Sequence, residues 1–317
     1  MAPRSVRLSL TDRCDLACVY CRPHKKDGYK DERLDLAAWK VMIRGLVRAG
    51  VRRVRLTGGE PLLHGDILDA VGFLASLGLD DLAMTTNATR LAKLARPLKE
   101  AGLERINISL DTLDSARFWR MTRGGNLDTV LRGVEAARAA GFSRLKLNAV
   151  IMRGENDGEL EELVRFSWER GIEPRFLEIM QIGEGATLKS RVVTAAEMKS
   201  KLAHLLIAED GRVDPDRGPA KYVSARHDAT LRVGFISGTS DTYCQGCDRL
   251  RVASDGVLRP CLATNDGVAA GEIAKGGDEA AIADAVTRAW DEKPDGDVWK
   301  GCTEPSAAKV SMRGIGG

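Results

Sequence analysis

The segment VRLSLTDRCDLACVYC, residues 6–21, joins a predicted β-strand to three closely spaced cysteines. Val6–Leu10 alternates apolar and polar residues, which is typical of a strand with two different faces. Cys14, Cys18 and Cys21 follow directly, so they lie on the loop at the carboxyl end of that strand. In strand–helix barrels this end of the strands carries the active site. The segment therefore predicts a thiolate-bound metal or iron–sulfur centre at the rim of a barrel.

The order of a strand, then a helix, then a glycine repeats along the first 180 residues. Amphipathic stretches such as Leu36–Ala49 separate the strands, and several of them end at a glycine. Six strand–helix units in alternation predict an α/β fold with a parallel sheet, and six units suit an open, partial barrel better than a closed eight-stranded one. The predicted strands are Val6–Leu10, Val54–Thr57, Leu82–Thr86, Arg105–Leu110, Leu145–Ile151 and Arg175–Met180.

After Met180 the repeat stops, which indicates a second region. We predict a partial barrel over residues 1–190 and a C-terminal region over residues 191–317. Within and before the second region we predict a loop at Gln181–Lys189, helices at Ala195–Leu206 and Glu279–Trp290, and β-structure at Leu231–Ile236, Leu250–Ala253 and Val257–Pro260.

The composition is that of an ordinary globular protein, with 44% hydrophobic and 29% charged residues in 317. No apolar run is long enough to span a bilayer, and the first residues do not resemble a secretory signal. Aromatic residues make up only 5% and the net charge is +3, so we expect no nucleic-acid partner. Seven cysteines, six of them at ligand-like spacing, favour a reducing cytoplasm over a disulfide framework.

Polar residues alternate with apolar ones along four of the predicted strands. Side chains two apart share one face of a strand. This face carries Arg7 and Ser9, then Arg53, Arg55 and Thr57, then Asn107 and Ser109, then Lys146 and Asn148. One interpretation is a wet, positively charged lumen that binds a polyanion. The other is a half-exposed open sheet.

A second group of cysteines, Cys244, Cys247 and Cys261, also supplies three thiolates. A four-iron cluster normally takes four Cys ligands, so a cluster held by three leaves one iron open to a small molecule. The alternative is zinc, which usually takes four ligands and for which His24 is a candidate fourth ligand at the first group. Two such zinc sites would make a nucleic-acid-binding scaffold.

The CxxxCxxC spacing, with Tyr20 before its last cysteine, resembles the signature of the radical S-adenosylmethionine superfamily. The segment Thr57–Pro61, TGGEP, at the end of the second strand strengthens the resemblance. It implies that the open iron binds the methionine part of S-adenosylmethionine (SAM), whose cleavage yields a 5′-deoxyadenosyl radical. The cofactor contacts it implies are Tyr20, Gly58, Gly59, Glu60, Ser109 and Met180.

The string CQGCDRLR at residues 244–251, with Cys261 and the terminal Gly316–Gly317, resembles the GTP 3′,8-cyclase family of molybdenum-cofactor biosynthesis. The resemblance implies two 4Fe-4S clusters, SAM, and conversion of GTP to (8S)-3′,8-cyclo-7,8-dihydroguanosine 5′-triphosphate. It places guanine on the second cluster and makes Gly316 and Gly317 catalytic. The implied substrate contacts are Arg7, Arg55, Thr85, Lys146, Arg175, Arg249, Leu250 and Arg251, with Arg53 a weaker candidate.

The same resemblance implies partners. A cyclic pyranopterin monophosphate synthase would take the product, and a flavodoxin or ferredoxin would supply electrons; a homodimer stays open. Ala88 stands where the family tends to have glycine. The alternative enzyme is a radical peptide-maturing protein with an auxiliary cluster, although such proteins usually carry more C-terminal cysteines.

Overall fold

Six neighbouring parallel strands form the centre of the fold. A computed structural model describes residues 3–22, 29–30, 32–207, 218–241, 243–244, 246–264 and 266–294. The six strands stand side by side in chain order, which confirms the predicted parallel sheet. They are β1 (Ser5–Ser9), β2 (Arg53–Thr57), β3 (Asp81–Thr86), β4 (Arg105–Ser109), β5 (Leu145–Val150) and β6 (Glu173–Leu177).

Helices connect these strands and cover one face of the sheet. Asp35 caps the first helix by accepting a hydrogen bond from the Ala38 amide at 2.8 Å. The predicted glycine stops are confirmed, since the five glycines have positive φ angles, a conformation that glycine adopts readily. The helices are α1 (Leu36–Arg48), α2 (Ile67–Ala75), α3 (Leu91–Glu100), α4 (Ser115–Thr122), α5 (Leu127–Ala139) and α6 (Leu160–Trp168). The glycines are Gly50, Gly78, Gly102, Gly141 and Gly171.

Two predictions for the chain after β6 were wrong. Residues Gly183–Arg191 form 3₁₀-helical turns with a kink at Leu188 rather than a loop. The next helix, α7, spans Ala195–Lys201 and stops five residues before the predicted end, because Leu206 pairs with Ala225 in an antiparallel bridge. The remaining elements are β7 (Lys221–Ser224), β8 (Arg232–Ile236), β9 (Arg249–Val252), β10 (Val257–Arg259), β11 (Val268–Ala269), α8 (Gly271–Lys275) and α9 (Glu279–Asp291).

The C-terminal strands extend the same sheet at both edges. In the described part of the chain eleven strands form one unclosed sheet, in the order β11-β10-β9-β1-β2-β3-β4-β5-β6-β8-β7. Strand β9 pairs in parallel with β1, and β8 pairs in parallel with β6. An unpaired edge invites aggregation, and here the later strands cover both edges of the six-stranded centre.

The apolar side chains of the central strands face the helices. Leu8, Leu56, Ile106, Leu147 and Phe176 are fully buried there. Helix α9 lies close against α1, because a Cβ on Gly45 would be only 2.3 Å from the Ile282 Cγ2 atom. Within the described residues, no helix has both the length and the apolar character needed to cross a membrane.

Candidate active site

A cavity of about 220 Å³ opens at the carboxyl ends of the central strands. It brings together the first cysteine loop, the Gly-Gly loop after β2 and polar residues of the inner strand face. Of the predicted polar face, Arg7, Arg55, Thr57, Ser109 and Asn148 line this cavity, whereas Ser9, Arg53, Asn107 and Lys146 are not among its lining residues. Of the predicted site residues, the cavity is lined by Arg7, Cys14, Cys18, Tyr20, Cys21, Arg55, Gly58, Gly59, Glu60, Thr85, Ser109, Arg175 and Met180.

The two glycines after β2 allow the cysteine loop to pack directly on the neighbouring loop. The Gly59 amide donates to the Thr11 carbonyl at 2.6 Å, and the Glu60 amide donates to the Arg13 carbonyl at 2.7 Å. A Cβ on Gly59 would lie 2.2 Å from the Arg13 oxygen, and one on Gly58 would lie 2.5 Å from the Thr11 oxygen. The glycines are therefore needed for contact between two loops.

Glu60 is a buried carboxylate that fixes the turn after β3. It accepts hydrogen bonds from the Thr86 hydroxyl and the Asn87 amide, both at 2.7 Å. Burial raises its pKa to about 7, although these hydrogen bonds oppose the shift. The Asn87 side chain in turn lies 3.9 Å from Cys14 Sγ and donates to Asp15 at 2.8 Å. Asn87 was missed from the sequence because its contacts cross 73 residues.

Ala88 occupies the turn in a left-handed conformation, with φ of 62°. Such a conformation is unfavourable for a residue with a Cβ. The turn is nevertheless formed, and Gly133 of α5 packs on it so closely that a Cβ there would lie 2.4 Å from the Ala88 oxygen. Replacement of the usual glycine by alanine thus leaves the turn in place.

Tyr20 is held by a second buried carboxylate. Its hydroxyl donates to Asp111 Oδ2 at 2.7 Å, and Asp111 Oδ1 accepts from the Val150 amide at 2.8 Å. Burial raises the pKa of Asp111 to about 6. Asp111 follows Ser109 by two residues and thus shares its side of the chain, a signal that could have identified it from the sequence.

The surroundings of Cys14 and Cys18 favour the neutral thiols over the thiolates. Burial, together with the charge of Glu60, raises the pKa of Cys14 to about 12, and burial raises the pKa of Cys18 strongly. Ionising these thiols therefore requires nearby positive charge, which bound iron supplies. Soft thiolate ligands favour iron–sulfur clusters. The donor set and its position on the cavity wall fit such a cluster.

Arginines form a row across neighbouring strands beside this cavity. In the register of the sheet, Arg7 pairs with Arg55 on one side and with Arg251 on the other. Arg259 of β10 pairs with Arg251 and continues the row. Residues in register point to the same face, and like charges directly opposite each other destabilise a sheet. The arrangement is one that an anion would stabilise.

Three nitrogen atoms of this row, Arg7 Nε, Arg55 Nε and Arg251 Nε, are buried and lack a hydrogen-bond partner. The same holds for Nη1 of Arg249, which lies next to the row on β9. Burial and the neighbouring guanidinium groups lower the pKa of Arg7 well below its ordinary value and that of Arg55 to about 9. Buried donors normally have partners, so these atoms fit a polyanionic ligand such as a triphosphate.

The other predicted substrate residues have different surroundings. Arg175 is held by the side-chain oxygens of Asn107 and Asn148, both at 2.8 Å, and lines the cavity. Arg53 forms an ion pair with Asp248. Lys146 lies outside the cavity lining, where its ammonium is 3.1 Å from Glu173.

Leu250 is wholly buried in the core, in register with Val6. Its side chain is on the face of β9 opposite to Arg249 and Arg251. Any contact of this residue with a ligand would have to come from its main chain.

The second cysteine group lies next to cations. The Cys247 amide donates to the Cys244 carbonyl at 3.1 Å, which shapes the CxxC turn. Burial disfavours ionisation of the Cys247 thiol, but the charges of Arg249 and Lys293 together lower its pKa to about 7. Lys293 was not identified from the sequence, because it follows a helix 46 residues after Cys247 in the chain. A thiolate favoured by nearby cations suits binding to iron.

Gly316 and Gly317, which the resemblance makes catalytic, lie outside the described residues. The seventh cysteine, Cys302, and the alternative ligand His24 also lie outside them. In the part of the chain with described side chains, no three His, Cys, Asp or Glu residues are close enough to hold a single metal ion. In an iron–sulfur cluster the thiolates bind different irons, so they need not converge on one ion.

Comparison with protein families agrees with this geometry. The model of the Radical SAM superfamily matches residues 8–167, and the model named Molybdenum Cofactor Synthesis C matches residues 172–299. The sheet, the cysteine loop and the cavity thus define a radical SAM protein. Its superfamily implies a 4Fe-4S cluster and SAM as cofactors.

Relatives with similar sequences identify the family within this superfamily. A GTP 3′,8-cyclase of Marinobacter nauticus is 39% identical over 297 residues, which cover 92% of this chain and 89% of the relative. GTP 3′,8-cyclase 1 of Pseudomonas aeruginosa is 44% identical over 260 residues, which cover 81% of this chain and 79% of the relative. The chain belongs to the GTP 3′,8-cyclase family.

Solved structures support the fold. The chain is similar to Streptococcus suis SuiB, with a TM-score of 0.68 at 18% identity over 94% of this chain and 68% of SuiB. With SuiB bound to S-adenosylmethionine the TM-score is 0.63 at 18% identity, and the match covers 86% of this chain and 64% of that one. At this identity the likeness shows the fold alone.

Proposed function

We propose that this protein converts GTP to (8S)-3′,8-cyclo-7,8-dihydroguanosine 5′-triphosphate, the first step of molybdenum-cofactor biosynthesis. The observation that carries the proposal is the row of Arg251, Arg7 and Arg55 beside the first cysteine loop, with buried nitrogens that lack partners. A nucleoside triphosphate supplies the charge and the acceptors that such a row lacks. The relatives named GTP 3′,8-cyclase support guanosine as the nucleoside.

Cys14, Cys18 and Cys21 would hold the first 4Fe-4S cluster. Gly58, Gly59 and the other lining residues Tyr20, Glu60, Ser109 and Met180 would hold SAM beside it. When bound, the cluster and SAM supply a 5′-deoxyadenosyl radical. The chain's own contribution is enclosure and orientation: Glu60 and Asp111 hold the loops around the cavity, and the lumen excludes water from a reactive carbon centre.

The substrate would lie with its triphosphate on the arginines and its guanine toward the second cysteine group. Arg7, Arg55 and Arg251 give charge-assisted hydrogen bonds, and Arg175 is already oriented by two amides. Thr85, which lines the cavity, would contact the nucleotide as well. Arg249 is two residues after Cys247 and two residues before Arg251 of the row. Cys244, Cys247 and Cys261 would therefore hold the second 4Fe-4S cluster next to the base.

Several further parts of the proposal rest on family resemblance. Gly316 and Gly317 would act in the pocket after SAM cleavage. A cyclic pyranopterin monophosphate synthase would receive the product, and a flavodoxin or ferredoxin would reduce the clusters. We place the protein in the cytoplasm because its thiols need a reducing compartment. In this proposal residues 1–190 form the barrel part, and residues 191–317 form the part that carries the second cysteine group.

Anaerobic turnover tests it. Reduced protein with reconstituted clusters is incubated with SAM and each nucleoside triphosphate, and products are identified by mass. We expect GTP alone to give an isomer of its own mass together with 5′-deoxyadenosine. Cys14→Ala is expected to abolish 5′-deoxyadenosine formation. SAM cleavage without a GTP-dependent product would refute the proposal and favour the peptide-maturing alternative.

A further inference from the structure

One lysine connects the two segments that carry the second cysteine group. Lys293 follows α9, and its ammonium donates to the Arg249 carbonyl at 2.9 Å and to the Pro260 carbonyl at 2.6 Å. Arg249 is two residues after Cys247, and Pro260 directly precedes Cys261. A single ammonium thus joins two main-chain positions just beyond the point where β9 and β10 pair through Arg251 and Arg259.

Contacts with Trp290 hold Lys293 in place. Its ammonium lies 5.1 Å from the centre of the Trp290 ring, a cation–π distance, and its amide donates to the Trp290 carbonyl at 3.0 Å. Helix α9 packs on α1 through the contact of Ile282 with Gly45. The position of the ammonium is therefore set by the fold and not by the cysteines themselves.

The positive charge of Lys293 also lies near the cysteines that would bind the second cluster. The Lys293 ammonium contacts main-chain oxygens two residues after Cys247 and one residue before Cys261, so its positive charge lies near both thiols. A cluster becomes more negative when it accepts an electron, and nearby positive charge favours that reduced state. The same lysine could thus control both the spacing of two ligands and the electron affinity of the group they bind.

We propose that Lys293 is a positioning residue for the second cluster, which fixes the distance between the CxxC turn and Cys261 and raises the reduction potential of the bound cluster. The inference rests on the proposed function only in requiring a cluster at this site. Residues that orient metal ligands typically change metal affinity by about 10- to 100-fold when they are replaced.

The test uses full-length protein with Cys14, Cys18 and Cys21 replaced by Ala, so that any remaining iron reports on the second site. Lys293→Met removes charge and donors, and Lys293→Arg keeps the charge with a different geometry. Lys275→Met is the matched control, because Lys275 on neighbouring α8 pairs only with surface acids, Glu32 and Glu272, in the described contacts. Iron retention under chelator challenge and the midpoint potential from EPR-monitored titration are measured.

We expect about four irons per chain in the background protein and in the Lys275→Met control. Lys293→Met should retain iron about 10-fold less well and titrate at a more negative potential, whereas Lys293→Arg should keep the potential and lose part of the retention. Unchanged retention and potential in Lys293→Met would overturn the inference. If Lys293→Met does not fold, Lys293→Arg provides the test. A shifted reduction potential in Lys293→Arg, which keeps the positive charge, would contradict the proposal. A background protein without iron would instead refute the second cluster itself.

Discussion

Replacing Arg55 should make the nucleotide-free protein more stable and the nucleotide complex weaker. The pKa of Arg55 lies at about 9 in place of 12.5, first through burial and then through Arg175 and Arg105. The difference of about 3.5 corresponds to about 5 kcal/mol against the charged form. The Coulomb repulsion between two like charges is of similar size. It is about 3 kcal/mol for charges one strand spacing apart at an effective dielectric constant of 20.

Relaxation and residual hydration reduce both figures, so we expect Arg55→Met to raise the free energy of unfolding by about 2 kcal/mol. In a chain of this size that is an increase in Tm of about 3 °C. The assay is thermal denaturation of anaerobically purified, nucleotide-free protein, followed by titration with GTP or tripolyphosphate. Ligand should stabilise the wild type more than the variant, because a ligand stabilises in proportion to the logarithm of its affinity.

Arg53 provides the matched control, because it lies on the same strand and the same face as Arg55. Its guanidinium is paired with Asp248, so Arg53→Met leaves a half-buried carboxylate without its partner and should lower stability by about 1 kcal/mol. The reasoning would be refuted if Arg55→Met were less stable than the wild type without nucleotide. It would also be refuted if tripolyphosphate stabilised the wild type and Arg55→Met equally.

Three further perturbations test the surrounding structure. In urea unfolding, Gly45→Ala should destabilise the protein by about 1–3 kcal/mol, because the new Cβ would be 2.3 Å from Ile282. Gly72→Ala in α2 should stabilise the protein by up to about 1 kcal/mol, because a Cβ there would have no atom within 4 Å. The free energy of unfolding should fall as the pH rises from about 4 to 6, because the folded pKa of Asp111, about 6, exceeds its ordinary value of 3.8. In Asp111→Asn this fall should be smaller by about 2 kcal/mol. Identical pH profiles of the wild type and the variant would contradict the burial of the Asp111 charge. Ala88→Val should cost more than about 2 kcal/mol at φ of 62°, while Ala88→Gly should stay within about 1 kcal/mol of the wild type by the same measurement.

Much of the fold could be predicted from the sequence because its signals are local. Alternation in Arg53–Thr57 identified both the strand and its polar face, and Gly50 identified the end of α1. The grouping of Cys14 with the Gly-Gly loop followed from parallel strands having their carboxyl ends at one edge. These inferences needed only neighbours in the chain and the topology of the sheet.

The partners of individual charges could not be predicted, because they come from distant segments. Nothing near Lys146 in the sequence shows that Glu173 and Tyr222 engage its ammonium. Likewise, Arg53 and Arg55 are equivalent by alternation, and only Asp248 distinguishes them. Gly58 and Gly59 line the cavity, but their close contacts with the cysteine loop could not be predicted, because that loop comes from a different segment of the chain.

The arginine row raises the question of what keeps β9 beside β1 when Arg251 and Arg7 repel each other. The opposite face of the same two strands gives the answer. Leu250 pairs with Val6 there and Val252 pairs with Leu8, and all four side chains are fully buried. Burying one such side chain contributes about 1.5–3 kcal/mol, so two pairs outweigh a repulsion of about 3 kcal/mol. Leu250 thus holds Arg249 and Arg251 in place from the core, at an edge of the sheet that their charges alone would open.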